Sequence, residues 1–215
     1  MVTTRHAPNW ALAWMPANVV FADSLIVFAF EDAASLSVLQ SSVQEIWARF
    51  FSSSMKDDLR YTPSDCFRAF PFPGNFETDV TLETAGEAYH AFRAQLMIGR
   101  SEGLTKTYNR FHARGENAPD IARLRVLHAE MDAAVLRAYG WDDLAARAAP
   151  RFIEQEADEG KTPKTRFDWP AEFKDEALAR LLALNAERAT AERAAGLTAA
   201  PEDDEDEFDP EGEAA

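Results

Sequence analysis

The chain has one cysteine, Cys66, so no intramolecular disulfide is available, and at most one thiol can serve a metal. That fits a reducing cytoplasm. Long apolar runs are also missing. The longest, around Leu25–Phe30, is strand-sized, whereas a bilayer-spanning helix needs roughly 20 apolar residues. Met1–Trp10 carries one Arg and no apolar stretch, which excludes a signal peptide. The expectation is a soluble cytoplasmic protein with no membrane partner. Basic charge is scarce as well. With 22 Lys and Arg against 37 Asp and Glu, the net charge is -15, and such a balance argues against nucleic acid. Its distribution changes that reading. Nine of the acids crowd into Glu202–Glu213, and without them the chain carries only -6. Between Arg93 and Arg125, seven basic residues face three acidic ones, so this segment is locally +4.

Hydrophobic residues make up 47% of the chain and aromatics 11%, enough for a packed core over most of its 215 residues. Trp10, Leu12 and Trp14 alternate with small residues, the period of a strand. Val19–Phe21 and Leu25–Phe30 read as two strands around Ala22–Ser24, the second buried on both faces. Asp32 caps a helix whose stripe is Leu36, Leu39, Val43, Ile46 or Trp47, and Phe50, ending at Ser52–Ser54. Met55–Phe72 is irregular, with a short helical turn at Thr62–Asp65, and Pro71–Gly74 is a stop. From about Thr81 the chain turns helical, with Leu82, Ala85, Tyr89, Phe92 and Leu96 on one face. Thr84 and Glu87 offer capping-box spacing for a later start. Gly99–Asn117 reads as a loop or broken segment. Pro119 then opens a helix with the stripe Ile121, Leu124, Leu127, Met131, Val135 and Ala138, closed by Gly140. Pro170 opens a last helix, with Asp168 as its cap and Phe173, Ala177, Leu181 and Leu184 inward. Pro201 begins an acidic, low-complexity tail of the composition expected for disorder.

Several strings carry a resemblance. They are Pro16–Phe21 and its following apolar strand, Glu45–Phe50, Ser53–Phe67, Phe70–Pro73, Gly103–His112, Leu127–Asp132 and Ala138–Trp141. In this order they resemble the C-terminal part of large adenine-N6 DNA methyltransferases, the MmeI-like single-chain restriction-modification enzymes and their relatives. The resemblance spans about residues 10–195. It implies part of a target-recognition portion, which reads double-stranded DNA and presents an adenine for flipping into a methyltransferase pocket. The Gly-rich cofactor loop and the Asn-Pro-Pro-Tyr/Phe motif of that family's catalysis are not in this chain, where Asn neighbours Pro only as Pro8-Asn9. No catalytic residue and no cofactor site are therefore expected here. S-adenosylmethionine belongs to a missing catalytic domain or subunit, the second partner after DNA, and the chain is expected to be a truncated gene product, a split subunit or a fragment.

The resemblance directs attention to two segments. In Ser52–Tyr61, Ser54, Lys56, Arg60 and Tyr61 are candidate DNA contacts; equally, the serines cap a turn and Asp57 or Asp58 pairs Arg60. In Lys106–His112, Lys106 and Arg110 suit phosphates, Asn109 an adenine edge and Tyr108 a stacked base. The alternative is that Tyr108 and Phe111 pack the segment against helices while its charges are solvated. His128 and Asp132 stand one helical turn apart, usable by a metal but lacking a third ligand, and read better as a surface or interface pair. Asp168, Glu172 and Lys174 have the order of a nuclease metal site without its strand context. Cys66 reads as a small core residue.

The expected fold class is α+β. A small β-containing unit (residues 1–75, part of a target-recognition domain) precedes a mainly helical region (76–198) and a disordered acidic tail (199–215). The expected function is DNA target recognition for an adenine-specific methylation system, without activity alone. The competing reading is a helical protein-interaction module with no DNA affinity.

Overall fold

A computed structural model describes residues 1–52, 59–155 and 165–197. It is α+β, with short antiparallel strand pairs beside a helical body. Strand β1 (Val2–Thr4) pairs with β3 (Leu25–Val27) in the register Val2–Val27, Thr3–Ile26, Thr4–Leu25. Strand β2 (His6–Ala7) pairs with β4 (Leu59–Arg60), placing His6 opposite Arg60. The α-helices among the described residues are α1 (Ala33–Gln40), α2 (Ser42–Phe51), α3 (Val80–Arg100), α4 (Leu104–His112), α5 (Pro119–Ala138), α6 (Asp142–Arg147) and α7 (Ala171–Ala194), with short helical turns at Pro63–Arg68 and Phe76–Thr78. A hairpin of β5 (Arg151–Glu154) and β6 (Thr165–Asp168) lies between α6 and α7. No described helix is long and apolar enough to cross a membrane.

The helix at Asp32 forms as its sequence predicts, with the Asp32 carboxylate accepting from the Ser35 amide at 2.6 Å. Its apolar stripe, however, belongs to two helices. Ser41 is extended and serves both: its hydroxyl donates to Val38 O at 2.7 Å and accepts from Gln44 N at 3.3 Å. One residue thus ends α1 and starts α2. All of α1 is buried, including Ser35, Ser37 and Gln40. Its tight fit against α3 depends on Gly86, where a Cβ would stand 2.1 Å from Ala33 O.

Three apolar clusters share these elements. Trp47, Leu82, Val135, Trp169 and Leu181 join α2, α3, α5 and α7. Trp10, Leu12, Phe28, Leu36 and Tyr61 fill the N-terminal unit, with Cys66 buried among them as expected. Tyr89, Leu96, Tyr108, Phe111 and Ile121 join α3, α4 and α5. Each large side chain fully buried this way contributes roughly 1.5–3 kcal/mol, and α1, touching the first two clusters through Val38 and Leu36, fixes their relative position.

Several expectations need correction. Val19–Phe21 forms no strand; Val20 is fully exposed, with no strand partner among the described residues. Leu25–Phe30 is buried on one face only: Ile26 and Phe28 point inward while Val27 is 51% exposed, the alternation of a two-stranded ribbon with one solvated side. Of Trp10–Trp14 only Ala13 makes a strand-like bridge, to Val2, although Trp10 and Leu12 are core residues. Gly99–Asn117 is not a loop throughout, since α4 occupies its centre. Helix α6 and the β5–β6 hairpin have no counterpart in the sequence reading, each being too short for a periodic signal. Asp168 is not the cap of α7. It ends β6, accepts from the Trp169 amide at 2.7 Å and holds Lys174 at 2.8 Å. The start of α3 is set by Asp79, which accepts from Thr81 N at 2.8 Å, rather than by Thr84.

Candidate nucleic-acid interface

A buried polar clamp positions the segment that follows β2. Arg93 of α3 is 2% exposed and has no carboxylate partner among the described residues. Its guanidinium donates to Leu12 O at 2.6 Å, Gln40 Oε1 at 3.0 Å and the Tyr108 hydroxyl at 2.9 Å. Gln40 in turn accepts from the Leu12 amide at 2.9 Å and donates to Trp10 O at 3.2 Å. The Trp10 indole donates to Leu39 O at 2.6 Å and its ring stacks on Tyr61 with centroids 4.8 Å apart. Residues 10–12 are thereby tied to α1, α3 and α4 at once.

This clamp delivers Asn9 to the surface beside α4. The Asn9 amide donates to Asn109 Oδ1 at 3.2 Å, an exposed bond joining the first residues of the chain to the second candidate segment. Arg166 backs the arrangement from β6, donating to Pro8 O at 3.3 Å and Asn9 Oδ1 at 3.4 Å and pairing with Glu45. Burial would raise the Glu45 carboxyl, but Arg166, Arg49 and His112 outweigh it and hold it at about 2. His112 lies in the same group. Burial first, then Arg166, pushes its imidazole down to about 3, and its buried Nδ1 has no hydrogen-bond partner among the described residues.

The candidate contacts divide accordingly. Arg60 is exposed on β4, and neither it nor Arg5 has an ion-pair partner among the described residues. Lys106 and Asn109 are exposed on α4, again with no ion pair for Lys106 among those residues. Tyr61 is fully buried; its hydroxyl accepts from Gln44 at 3.1 Å, and burial pushes its pKa up. Tyr108 is 2% exposed, with its hydroxyl 2.6 Å from that of Tyr89. Neither ring offers a face at the surface. Arg110 is gripped by Glu102 at 2.9 Å and Glu116 at 2.7 Å. Ser54 and Lys56 lie outside the described residues.

The locally basic segment is mostly neutralised. Arg100 pairs with Asp120 at 2.7 Å, Arg114 with Glu154 at 3.5 Å and Arg123 with Glu130 at 3.4 Å. Arg125 is buried, donating to four backbone carbonyls, among them Phe111 O at 2.8 Å. Of the seven cations, Lys106 is the exposed one without a carboxylate among the described residues. The sequence shows neither this nor the part of Asn9, which carried no motif.

His128 and Asp132 are not a surface pair. Asp132 is buried and His128 partly buried, 3.3 Å apart, and Asp132 also accepts from the Ser42 amide at 2.8 Å and hydroxyl at 2.7 Å, capping α2 from α5. Burial would lower the His128 imidazole, but Asp132 outweighs it and raises it. Among the described residues no group of three metal-ligating side chains occurs. Asp168 and Lys174 neutralise each other.

The fold thus presents a surface of strand edge, carboxamides and cations without an ion pair among the described residues, on a helical support. Residues 2–74 match the family model of the MmeI target recognition domain, in agreement with the resemblance carried by the sequence strings. The match contains β1–β4, α1, α2 and Asn9, and it stops before α3 and α4. No curated protein and no solved structure matches the chain.

Proposed function

We propose that the chain recognises a DNA target within a restriction-modification system, as the recognition portion of an adenine-N6 methyltransferase whose catalytic domain lies outside these residues. The observation that carries the reading is the match of residues 2–74 to a target recognition domain. The meeting of that segment with Lys106–His112 at Asn9 and Asn109 supports it. Arg5, Arg60 and Lys106 are then the phosphate contacts, and Asn109 with Asn9 reads a base edge, a task for which a carboxamide suits adenine. Lys56 and Ser54 extend the first segment. Arg110 shapes α4 through Glu102 and Glu116 and contributes field rather than a direct contact. The exposed Val19, Val20 and Val27 suit a contact with the catalytic domain or subunit.

Selection from a random duplex pool tests the reading. Retained duplexes that share a defined sequence motif, with affinity falling as salt rises, support it. A chain with no affinity even at about 50 mM salt that self-associates in light scattering is instead a helical interaction protein.

A further inference from the structure

A cavity of about 300 Å³ opens beside Asn9. Its walls include Val2, Thr4 and Ala7 from the β1–β2 side, Met15 beyond the clamp, and Thr105 and Tyr108 from α4. The lining is mainly apolar and contains no carboxylate, although the chain carries a charge of -15. Asn9 is itself a wall, and its hydrogen bond places Asn109 next to it. Lys106 follows Thr105 directly and is exposed. An apolar cleft with a few placed polar groups is the usual form of a small-ligand site. Here the polar side chains of the wall include Thr3, Thr4, Asn9 and Thr105, with Asn109 bonded to Asn9 and Lys106 next to Thr105 in the chain.

We propose that this cavity receives a single unstacked nucleobase of bound DNA, with that nucleotide's phosphate on Lys106. The inference rests on the DNA-recognition reading and adds a base-holding subsite to it. A base is flat and apolar on its faces, polar at its edge and joined to an anion. Apolar walls, paired carboxamides and Lys106 answer those three properties in turn. An apolar side chain of a protein partner would answer only the first.

The test uses the full chain and short random-sequence duplexes, fully paired or with one central mismatch, measured by fluorescence anisotropy at about 50 mM salt. A mismatched base unstacks at lower cost. The mismatch should therefore tighten binding by about tenfold. Thr105→Trp, at an exposed helical position, and Ala7→Phe should each fill the cavity and remove that gain. Affinity for the paired duplex should stay within about twofold, because the contacts between surface cations and backbone phosphates remain. A gain that survives both fillings, or its absence in the unaltered chain, overturns the subsite while leaving DNA recognition standing. Failure to bind either duplex overturns the DNA reading and the subsite with it.

Discussion

Arg93 and Lys106 belong to one basic segment and have opposite fates. Arg93 is inside, shared among a backbone carbonyl, a carboxamide and a phenol, and holds three elements together. Lys106 is outside, with no ion pair among the described residues. The local charge of +4 is therefore not a measure of what the segment can offer a polyanion. Buried or paired arginines organise the fold, and a minority of the cations remain for binding. The contrast separates stability from function residue by residue.

Removing the interior cation should have the largest effect. Arg93→Met removes three charge-assisted hydrogen bonds, strips Leu12 O of its guanidinium donor and leaves Gln40 Oε1 with the Leu12 amide alone, at a cost of about 3–5 kcal/mol. Urea unfolding reads this directly, and a loss below about 1 kcal/mol would mean that the clamp is not structural. Gly86→Ala comes next. Its Cβ meets the Ala33 carbonyl at 2.1 Å, so α1 must shift on α3, costing about 2–3 kcal/mol. A neutral result by thermal melting would contradict that packing.

His112 gives a pH signature to the support beneath Asn9. Its imidazole titrates near 6.5 when unfolded and is held at about 3 when folded. The unfolded chain therefore binds more protons between these values, and stability falls as pH drops from about 6.5. The loss from His112 amounts to about 2 kcal/mol by pH 5. Glu45, depressed to about 2, adds to it below the usual carboxylate range. His128 works in the other direction: its raised pKa gives stability that is lost as pH climbs through its folded value. His112→Phe should flatten the melting temperature between pH 6.5 and 5, and an unchanged slope would place the titration elsewhere.

The smallest stability effects belong to the surface cations. Lys106→Ala should change stability by less than about 0.5 kcal/mol yet reduce the slope of log affinity against log salt by about one. Arg123→Ala, at an exposed pair, should leave stability within about 0.5 kcal/mol and the slope unaltered. Equal slopes for the two variants would erase the distinction between Lys106, which has no ion pair among the described residues, and the paired Arg123.

Strong local signals were readable in the sequence. Asp32 needed only its own carboxylate to cap α1, Pro119 and Gly140 only their backbone preferences to bound α5, and the long α3 face only its period. The break at Ser41 was not readable, because an unbroken apolar stripe suits one helix or two, and the choice rests on which faces the neighbours bury. Hairpin β5–β6 was hidden for a related reason: its four-residue strands acquire meaning through Phe152 and Phe167 packing near Arg125. The matched segment and the Lys106–His112 string were both visible, whereas their meeting at Asn9 and Asn109 was not.

The sequence by itself determined the start of α1 at Asp32, the bounds of α5, the apolar face of α3, the lone buried thiol and the resemblance carried by its ordered strings, since each depends on residue type and near spacing. Tertiary structure alone decided which arginines are buried or paired, which tyrosines are core and where the cavity opens. Those outcomes depend on contacts between residues as distant as Leu12 and Arg93, or Asn9 and Asn109, and a pairing across such separations exists only once the chain has folded.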